Sequence, residues 1–357
     1  MTKGVAIILM VMAHARVSKY GITFVNMFHM PLFFIMSGYC FKESHLNDFR
    51  TFSWRRVKGA YWPFVKWGLL FLLLHNFFFS INLYNDEFGY RGIVSQVYSM
   101  KDIAHHAIKI VLSMSDAEQL LGGYWFLHSY FFASFIAFAV IWVCMKKARS
   151  GLLFLCLIIL LIISILSKYF NIGIPHYINA REFLSASFII AGFLYKHYEV
   201  SWERYPLIVI PIGLVIVVLG SFLWPSSLLT FTWKNALPFV LTAIAGTLMV
   251  FSFCKIFSRY SLVSSFLEYI GNRTLAILTW HFLSFKLVSL LIICVYSLPI
   301  SRLAEFPVIE EFAYHGWGVL YLITGIAVPL FIEYCLLKLH GRISYAYQHI
   351  SKCHPFL

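Results

Sequence analysis

Apolar residues run in long, nearly unbroken stretches along this chain, and the polar residues collect between them. Neither the two-residue alternation of a half-buried strand nor the narrow apolar stripe of a soluble helix dominates. A membrane-spanning helix needs ~20 predominantly apolar residues, within a range of about 17–25. Ten stretches meet or approach that length: roughly 4–18, 21–41, 60–84, 122–145, 151–168, 183–198, 206–224, 235–256, 273–298 and 315–337. The first and sixth are short. No periodic repeat and no Gly/Ser- or Pro-rich linker divides the series. The pattern predicts an all-α polytopic membrane protein, about ten transmembrane helices in one bundle, forming a single domain over 1–357.

The longest connection, 85–121, holds Asp86, Glu87, His105, His106, Asp116 and Glu118. Within it the spacing of KDIAHHAIKIVLS, residues 101–113, suits a short amphipathic helix on the membrane surface. A solvated lid without chemistry is the alternative.

Composition sharpens the class. Of 357 residues, 61% are hydrophobic and 12% charged, about half the ~25% charged share of a soluble domain. Mean hydropathy is +0.79. So few charges could not cover a water-soluble fold, which excludes a soluble enzyme, a nucleic-acid binder and a disordered chain. The net charge of +13 fits cytoplasmic loops facing anionic lipid. With the N-terminus inside, 18 of the 28 Lys and Arg fall on inner segments and nine on outer ones, Lys286 lying within a helix. The bias predicts both termini in the cytoplasm. The seven Cys form no C-x-x-C pair, so neither a disulfide framework nor a metal site is expected. Only Lys3 precedes the first apolar run and no A-x-A site follows it; that run reads as a retained first helix rather than a cleaved signal.

Ionisable residues inside spanning helices are costly and therefore functional candidates. Here they are His14, His29, His75, His128, His281, Lys286 and Glu333. Lys3 and His14 are eleven residues apart, which at about 100° per residue returns to within roughly 20°. One face of the first helix thus carries a cation at the border and, roughly 16 Å deeper, an imidazole. This suits a long substrate with an anionic head and a reactive far end, His14 acting as general base. The plainer reading makes Lys3 a topology signal and His14 a hydrogen-bonded packing residue.

Four further clusters stand out. In FHMPLFFIMSGY, 28–39, His29 precedes Pro31, and Ser37-Gly38 is a small pair that permits close helix approach; Ser37 lacks the G-x-S-x-G elbow of a nucleophile. The inner loop SWRRVKGAYWP, 53–63, places Arg55, Arg56 and Lys58 before a helix with Pro63 in its first turn, either as a positive anchor or as a phosphate clamp. GGYWFL, 122–127, sets Trp125 at an outer helix entrance. In GNRTLAILTWHF, 271–282, Asn272 could cap a helix that carries His281. No H-E-x-x-H, P-loop or dinucleotide fingerprint occurs. Glu333 is the sole intramembrane acid, which weighs against proton-coupled transport.

Taken together, these residues resemble the acyltransferase-3 family of integral-membrane acyltransferases. KGVAIILMVMAHA matches its first helix, with the Arg/Lys-x10-His motif at Lys3 and His14. FHMPLFFIMSGY is similar to its second helix in the fucose-4-O-acetylase-like branch. The basic loop before Pro63, YWFL at 124–127 and the segment ending at His281-Phe282 follow in order, so the resemblance covers essentially the whole chain. Two departures are visible: only Met1 and Thr2 precede Lys3, and Gly59 stands where a second Arg is usual.

The resemblance implies an O-acetyltransferase of the bacterial inner membrane. The donor would be acyl-CoA, most often acetyl-CoA, as co-substrate with no permanently bound cofactor. The acceptor would be a sugar hydroxyl of a cell-surface or exported glycan. By this resemblance His14 is the catalytic base, Lys3, Arg55, Arg56 and Lys58 bind acyl-CoA, and His29, Ser37, Trp125 and His281 line the pocket or orient the acceptor. Direct transfer and a covalent acyl-enzyme are both open. Expected partners are the donor, the glycan and membrane lipids, not nucleic acid. The competing class is a polysaccharide or glycolipid transporter or flippase without covalent chemistry, which the missing inverted repeat argues against.

Overall fold

The computed structural model describes residues 1–88, 94–146, 150–174, 176–198 and 200–353, of which 150 and 340–353 are described by their backbone alone. Arg91, Lys147 and Arg149, which enter the charge bias, lie outside the described residues, as do the side chains of Arg342 and Lys352. The helices are α1 (Thr2–His14), α2 (Lys19–Asn26), α3 (His29–Tyr39), α4 (Phe49–Arg56), α5 (Trp62–Leu73), α6 (His75–Ser80), α7 (Met100–Ser113), α8 (Trp125–Lys146), α9 (Ser150–Phe170), α10 (Ala180–His197), α11 (Pro206–Leu223), α12 (Ala236–Phe257), α13 (Ser261–Gly271), α14 (Thr274–Tyr296), α15 (Glu310–Phe312) and α16 (Gly318–Cys353). Among the described residues there is no strand, only an isolated bridge between Ile174 and Ile178. The protein is an all-α polytopic membrane protein.

Among the described residues, seven helical stretches are long and apolar enough to cross a membrane: Lys19–Tyr39, Gln119–Lys146, Gly151–Phe170, Pro206–Leu223, Ala236–Phe257, Thr274–Tyr296 and Glu310–Leu339. The other three expected spans are helical as well, but shorter, interrupted or more charged. Helix α1 has 13 residues. The stretch 60–84 breaks at Leu74, between α5 and α6. Helix α10 has 18 residues and carries Arg181, Glu182 and Lys196.

Two sequence expectations need correction. The basic stretch 53–63 is not a loop. Helix α4, capped by Asp48 accepting from the Thr51 N–H, continues through one π-helical turn, Val57–Tyr61, into α5. The widened turn lies just ahead of Pro63, which has no N–H to donate and whose ring cannot fit against the carbonyl four residues back. Asn272 does not cap α14. It closes α13, its N–H donating to the Glu268 carbonyl; Arg273 occupies the cap position, and α14 starts without a side-chain cap. The expected surface helix is present as α7, started by a capping box between Ser99 and Asp102.

The break between α2 and α3 matters for the site. Helix α2, capped by Ser18, ends at Asn26, and α3 restarts at His29. The His29 ring spans the break, its Nδ1–H donating to the Val25 carbonyl at 2.9 Å.

Buried apolar side chains form two clusters. One joins α3, α8, α10 and α12 around Phe34, Phe188 and Phe239. The other joins α1, α5 and α14 around Val11, Phe71 and Phe285. In the first, α3 and α10 touch backbone to backbone. A Cβ on Gly38 would lie 1.8 Å from the Ile189 carbonyl oxygen, and one on Gly192 would lie 1.8 Å from that of Ile35. Such contact between helices needs residues without side chains.

Gly38→Ala and Gly192→Ala should each destabilise the bundle by about 1–3 kcal/mol. Gly59→Ala, with open space around its position, should stay within about 0.5 kcal/mol. Thermal unfolding midpoints in detergent measure this; an unchanged midpoint for Gly38→Ala would contradict the packing.

Candidate active site

Helix α1 ends where the structure opens. A cavity of about 610 Å³ lies at this end of the bundle, lined by Met10 and His14 of α1, Asn26 and His29 at the α2–α3 break, and the segments 114–119, 227–230 and 306–307. We term it the vestibule. Arg16, at φ 56, turns the chain out of α1, and its guanidinium lies 3.8 Å from Glu310.

His14 is half-buried in the vestibule floor. Phe282 meets its ring edge-on at 4.9 Å between ring centres, and the fully buried His281 lies behind it at 5.5 Å. The stretch Gln119–Tyr124 presses against α14 at this point. Its Gly123 leaves only 2.8 Å between a notional Cβ and Leu278, and the Tyr124 hydroxyl is hydrogen-bonded to that of Thr279 at 2.7 Å.

Of the residues singled out in the sequence, His14, His29 and Trp125 share the vestibule. Arg181 stands over the Trp125 ring at 5.4 Å. His281 is behind the floor rather than in the cavity. Ser37 lies outside the vestibule, its hydroxyl donating to Tyr130 at 3.3 Å.

The four basic residues belong elsewhere. Lys3 is exposed at the opposite end of α1. Arg55 and Lys58 are exposed, Arg55 bonded to His45 at 2.9 Å and Lys58 over Trp54 at 5.1 Å. Arg56 alone turns into the bundle. Its guanidinium sits between the rings of Phe52 and Tyr130, at 4.9 and 5.0 Å, and donates to the Tyr130 hydroxyl. Its Nε is buried without a partner, and among the described residues no carboxylate pairs with it.

Sequence reading placed Asp116 and Glu118 in the outer connection without a partner for either, and missed Glu182, which is buried beside the vestibule wall. Glu118, 5% exposed, pairs with the fully buried His75 at 3.1 Å. The other nitrogen of His75 donates to the Gln96 carbonyl, and Tyr98 stacks on the ring at 3.4 Å. Glu182 collects the Ser129 hydroxyl at 2.7 Å, Arg181 at 2.9 Å and the Asn179 N–H at 2.9 Å. His128 Nδ1 stands 3.5 Å from Glu182, longer than a good hydrogen bond. Asp116 meets Lys109 at 2.9 Å and His106 at 3.2 Å. Burial alone would raise the Asp116 carboxyl, but Lys109 and His106 outweigh it and hold it below the usual carboxylate range. Lys286, buried in α14, donates to the Glu305 carbonyl at 2.6 Å and so fixes the segment carrying Phe306 at the rim. Only the intramembrane position of His75, His128 and Lys286 could have flagged these contacts; no local motif encodes them.

The vestibule is therefore polar but locally neutralised. Arg16 is paired with Glu310, Arg181 with Glu182, Glu118 with His75, and Asp116 with Lys109. An imidazole at the floor of such a cavity can take a proton from a hydroxyl bound above it.

A family model described as an acyltransferase domain matches residues 1–334. No curated protein and no solved structure matches the chain. With nearly its whole length covered by that model, the chain belongs to the acyltransferase-3 family of membrane acyltransferases.

Proposed function

We propose that the protein moves an acetyl group from acetyl-CoA to a hydroxyl of a cell-surface or exported sugar, with His14 as general base. The observation that carries this reading is the position of His14. It lies on the floor of a polar vestibule, at the opposite end of α1 from Lys3. In this reading the vestibule faces outward, both termini face the cytoplasm, and the membrane is the bacterial inner membrane.

The donor's phosphates bind at the N-terminal end of α1, to Lys3, Arg55, Arg56 and Lys58. Arg56 supports this assignment. A guanidinium turned into the bundle and held, among the described residues, by neutral groups is poorly compensated, and phosphate oxygens match its fork. The pantetheine arm then extends through the bundle toward His14.

The acceptor sugar enters the vestibule. Its local neutrality suits an uncharged ring, Trp125 offers a face for the sugar's C–H surface, and His29 orients the hydroxyl. The likeness of α3 to the fucose-4-O-acetylase-like branch points the same way. As the sugar oxygen attacks the thioester carbonyl, His14 takes its proton. The C–S bond then breaks, and His14 returns the proton to the departing thiolate. The Ser37 hydroxyl is engaged by Tyr130 and outside the vestibule, which favours direct transfer over an acyl-enzyme on that residue.

His14→Ala should lower turnover by about 10²–10⁴-fold while the protein still inserts. Ester acetate on the glycan, measured by NMR at matched membrane levels, tests it; normal acetylation by the variant would sink the assignment. Arg56→Met should raise KM for acetyl-CoA by roughly 10–100-fold, the worth of a charged hydrogen bond, and Lys3→Ala should weaken donor binding in the same assay. Unchanged KM in both variants would remove the phosphate role.

A further inference from the structure

We infer that His281 is a positioning residue that holds His14 in the tautomer whose lone pair faces the vestibule. The inference rests on the reading of His14 as the base.

Two carbonyls fix the protonation of His281. Its Nδ1 lies 2.9 Å from the Ile277 oxygen and 3.1 Å from the Leu278 oxygen. Carbonyl oxygens only accept, so Nδ1 carries the hydrogen. In the neutral ring Nε2 is then a bare lone pair. That atom is buried and has no partner, on a residue with 0% exposure. A buried acceptor left unmet is costly and calls for an explanation.

His14 supplies one. The two ring centres are 5.5 Å apart. An N–H···N contact of about 3 Å, with roughly 1.1 Å from each nitrogen to its ring centre, would place them near 5.2 Å. A shift of a few tenths of an ångström closes the bond, of the kind catalytic contacts make when substrate binds. The rings are confined for that movement: Phe282 lies edge-on to His14 at 4.9 Å, and Phe306 packs on Phe282 at 4.6 Å.

The charged groups that face His14 are already paired, and the other nearby imidazoles each give their N–H to a carbonyl. Arg16, just beyond α1, has Glu310, and His29 of α3 has the Val25 carbonyl. Across the cavity Asp116 has Lys109, Glu118 has His75, and Arg181 has Glu182. His128 Nε2 has the His176 carbonyl. His29 Nε2 and His128 Nδ1 are left with lone pairs by the same reasoning, but those two residues line the open cavity; His281 offers its lone pair from behind His14, away from the space a substrate would occupy.

The consequence follows from imidazole chemistry. Neutral His14 has one N–H and one lone pair. With the N–H given to His281 Nε2, the lone pair is left for the sugar hydroxyl. Once His14 takes that proton, its original N–H remains bonded to His281, which stabilises the imidazolium until the proton passes to the thiolate. His281 exchanges no proton.

His281→Phe keeps a planar ring and removes the acceptor; His281→Gln keeps an acceptor oxygen. The Phe variant should lower kcat at least about tenfold, short of the 10²–10⁴-fold cost of losing the base, with KM for acetyl-CoA within about twofold. Its acid limb in kcat/KM should move to lower pH, because the imidazolium loses its partner, and the Gln variant should restore both. ¹⁵N NMR of histidine-labelled wild-type protein should show a single His14 tautomer. Wild-type kcat and acid limb in His281→Phe, equal losses in both variants with an unmoved limb, or mixed His14 tautomers in wild type would each overturn the inference. Should His14→Ala be inactive while His281→Phe is normal, only this inference fails; an active His14→Ala removes the base reading itself.

Discussion

A polar group inside a membrane bundle must find its partner within the bundle, because lipid offers none and unmet groups cost several kcal/mol. The architecture around the vestibule answers to that constraint. Glu118 is met by His75, Glu182 by Ser129, Arg181 and a backbone N–H, and Lys286 by the Glu305 carbonyl. These contacts also fix the walls. The Glu118 pair ties the 114–123 segment to α6, the Glu182 set ties the start of α10 to α8, and Lys286 ties the 300–305 stretch to α14. Two of the groups left unmet are Arg56 Nε and His281 Nε2. One lies in the basic helix, the other beside His14, so these two, among the nine such groups of the described residues, fall where the proposed reaction needs a phosphate and a proton.

The length of α1 sets the distance between those two places. Thirteen residues rise about 20 Å, against a hydrocarbon core of about 30 Å. A helix this short cannot carry His14 to the far surface, so the imidazole sits recessed and the surrounding segments build the vestibule above it. By the proposed mechanism the donor's reactive end and the acceptor's hydroxyl meet at this recess. In the proposed reaction only a flexible arm crosses the apolar zone; the charged nucleotide stays at one end and the polar sugar at the other.

Much of the fold was legible in the sequence because a spanning helix is a local, compositional signal: every predicted span has a helix in the structure. The Lys3–His14 spacing was legible for the same reason, being one helix with one period. The basic stretch was not. Its composition reads as a loop, while the structure makes it the end of α4 and a π turn, with Arg56 inward and Arg55 and Lys58 outside. The carboxylate contacts were not legible either. His75 and Glu118 are 43 residues apart and Ser129 and Glu182 are 53 apart, so only the tertiary fold joins them. Asn272 shows the reverse failure. A sound capping residue was read at the right helix, but it stands one place early: Asn272 closes the preceding helix in a helical conformation, and Arg273 occupies the cap position.

If His14 is the base as proposed, a second imidazole behind it has a physical reason. Catalytic histidines are commonly oriented by a carboxylate, which also balances the imidazolium. At this position a carboxylate would be enclosed by Phe282, Phe285 and Ile277, and an ionised acid there would demand several compensating donors, as Glu182 demands three. A neutral imidazole orients its neighbour without a buried charge. It does so because α14 supplies two carbonyls that hold its own hydrogen in place, one turn back along the same helix. The orienting group is thus rigid, uncharged and positioned by the helix that carries it. Its weakness is that it stabilises the imidazolium through one hydrogen bond rather than through charge. A base of this kind suits a thioester, whose thiolate leaves readily and takes the proton back soon after it is borrowed.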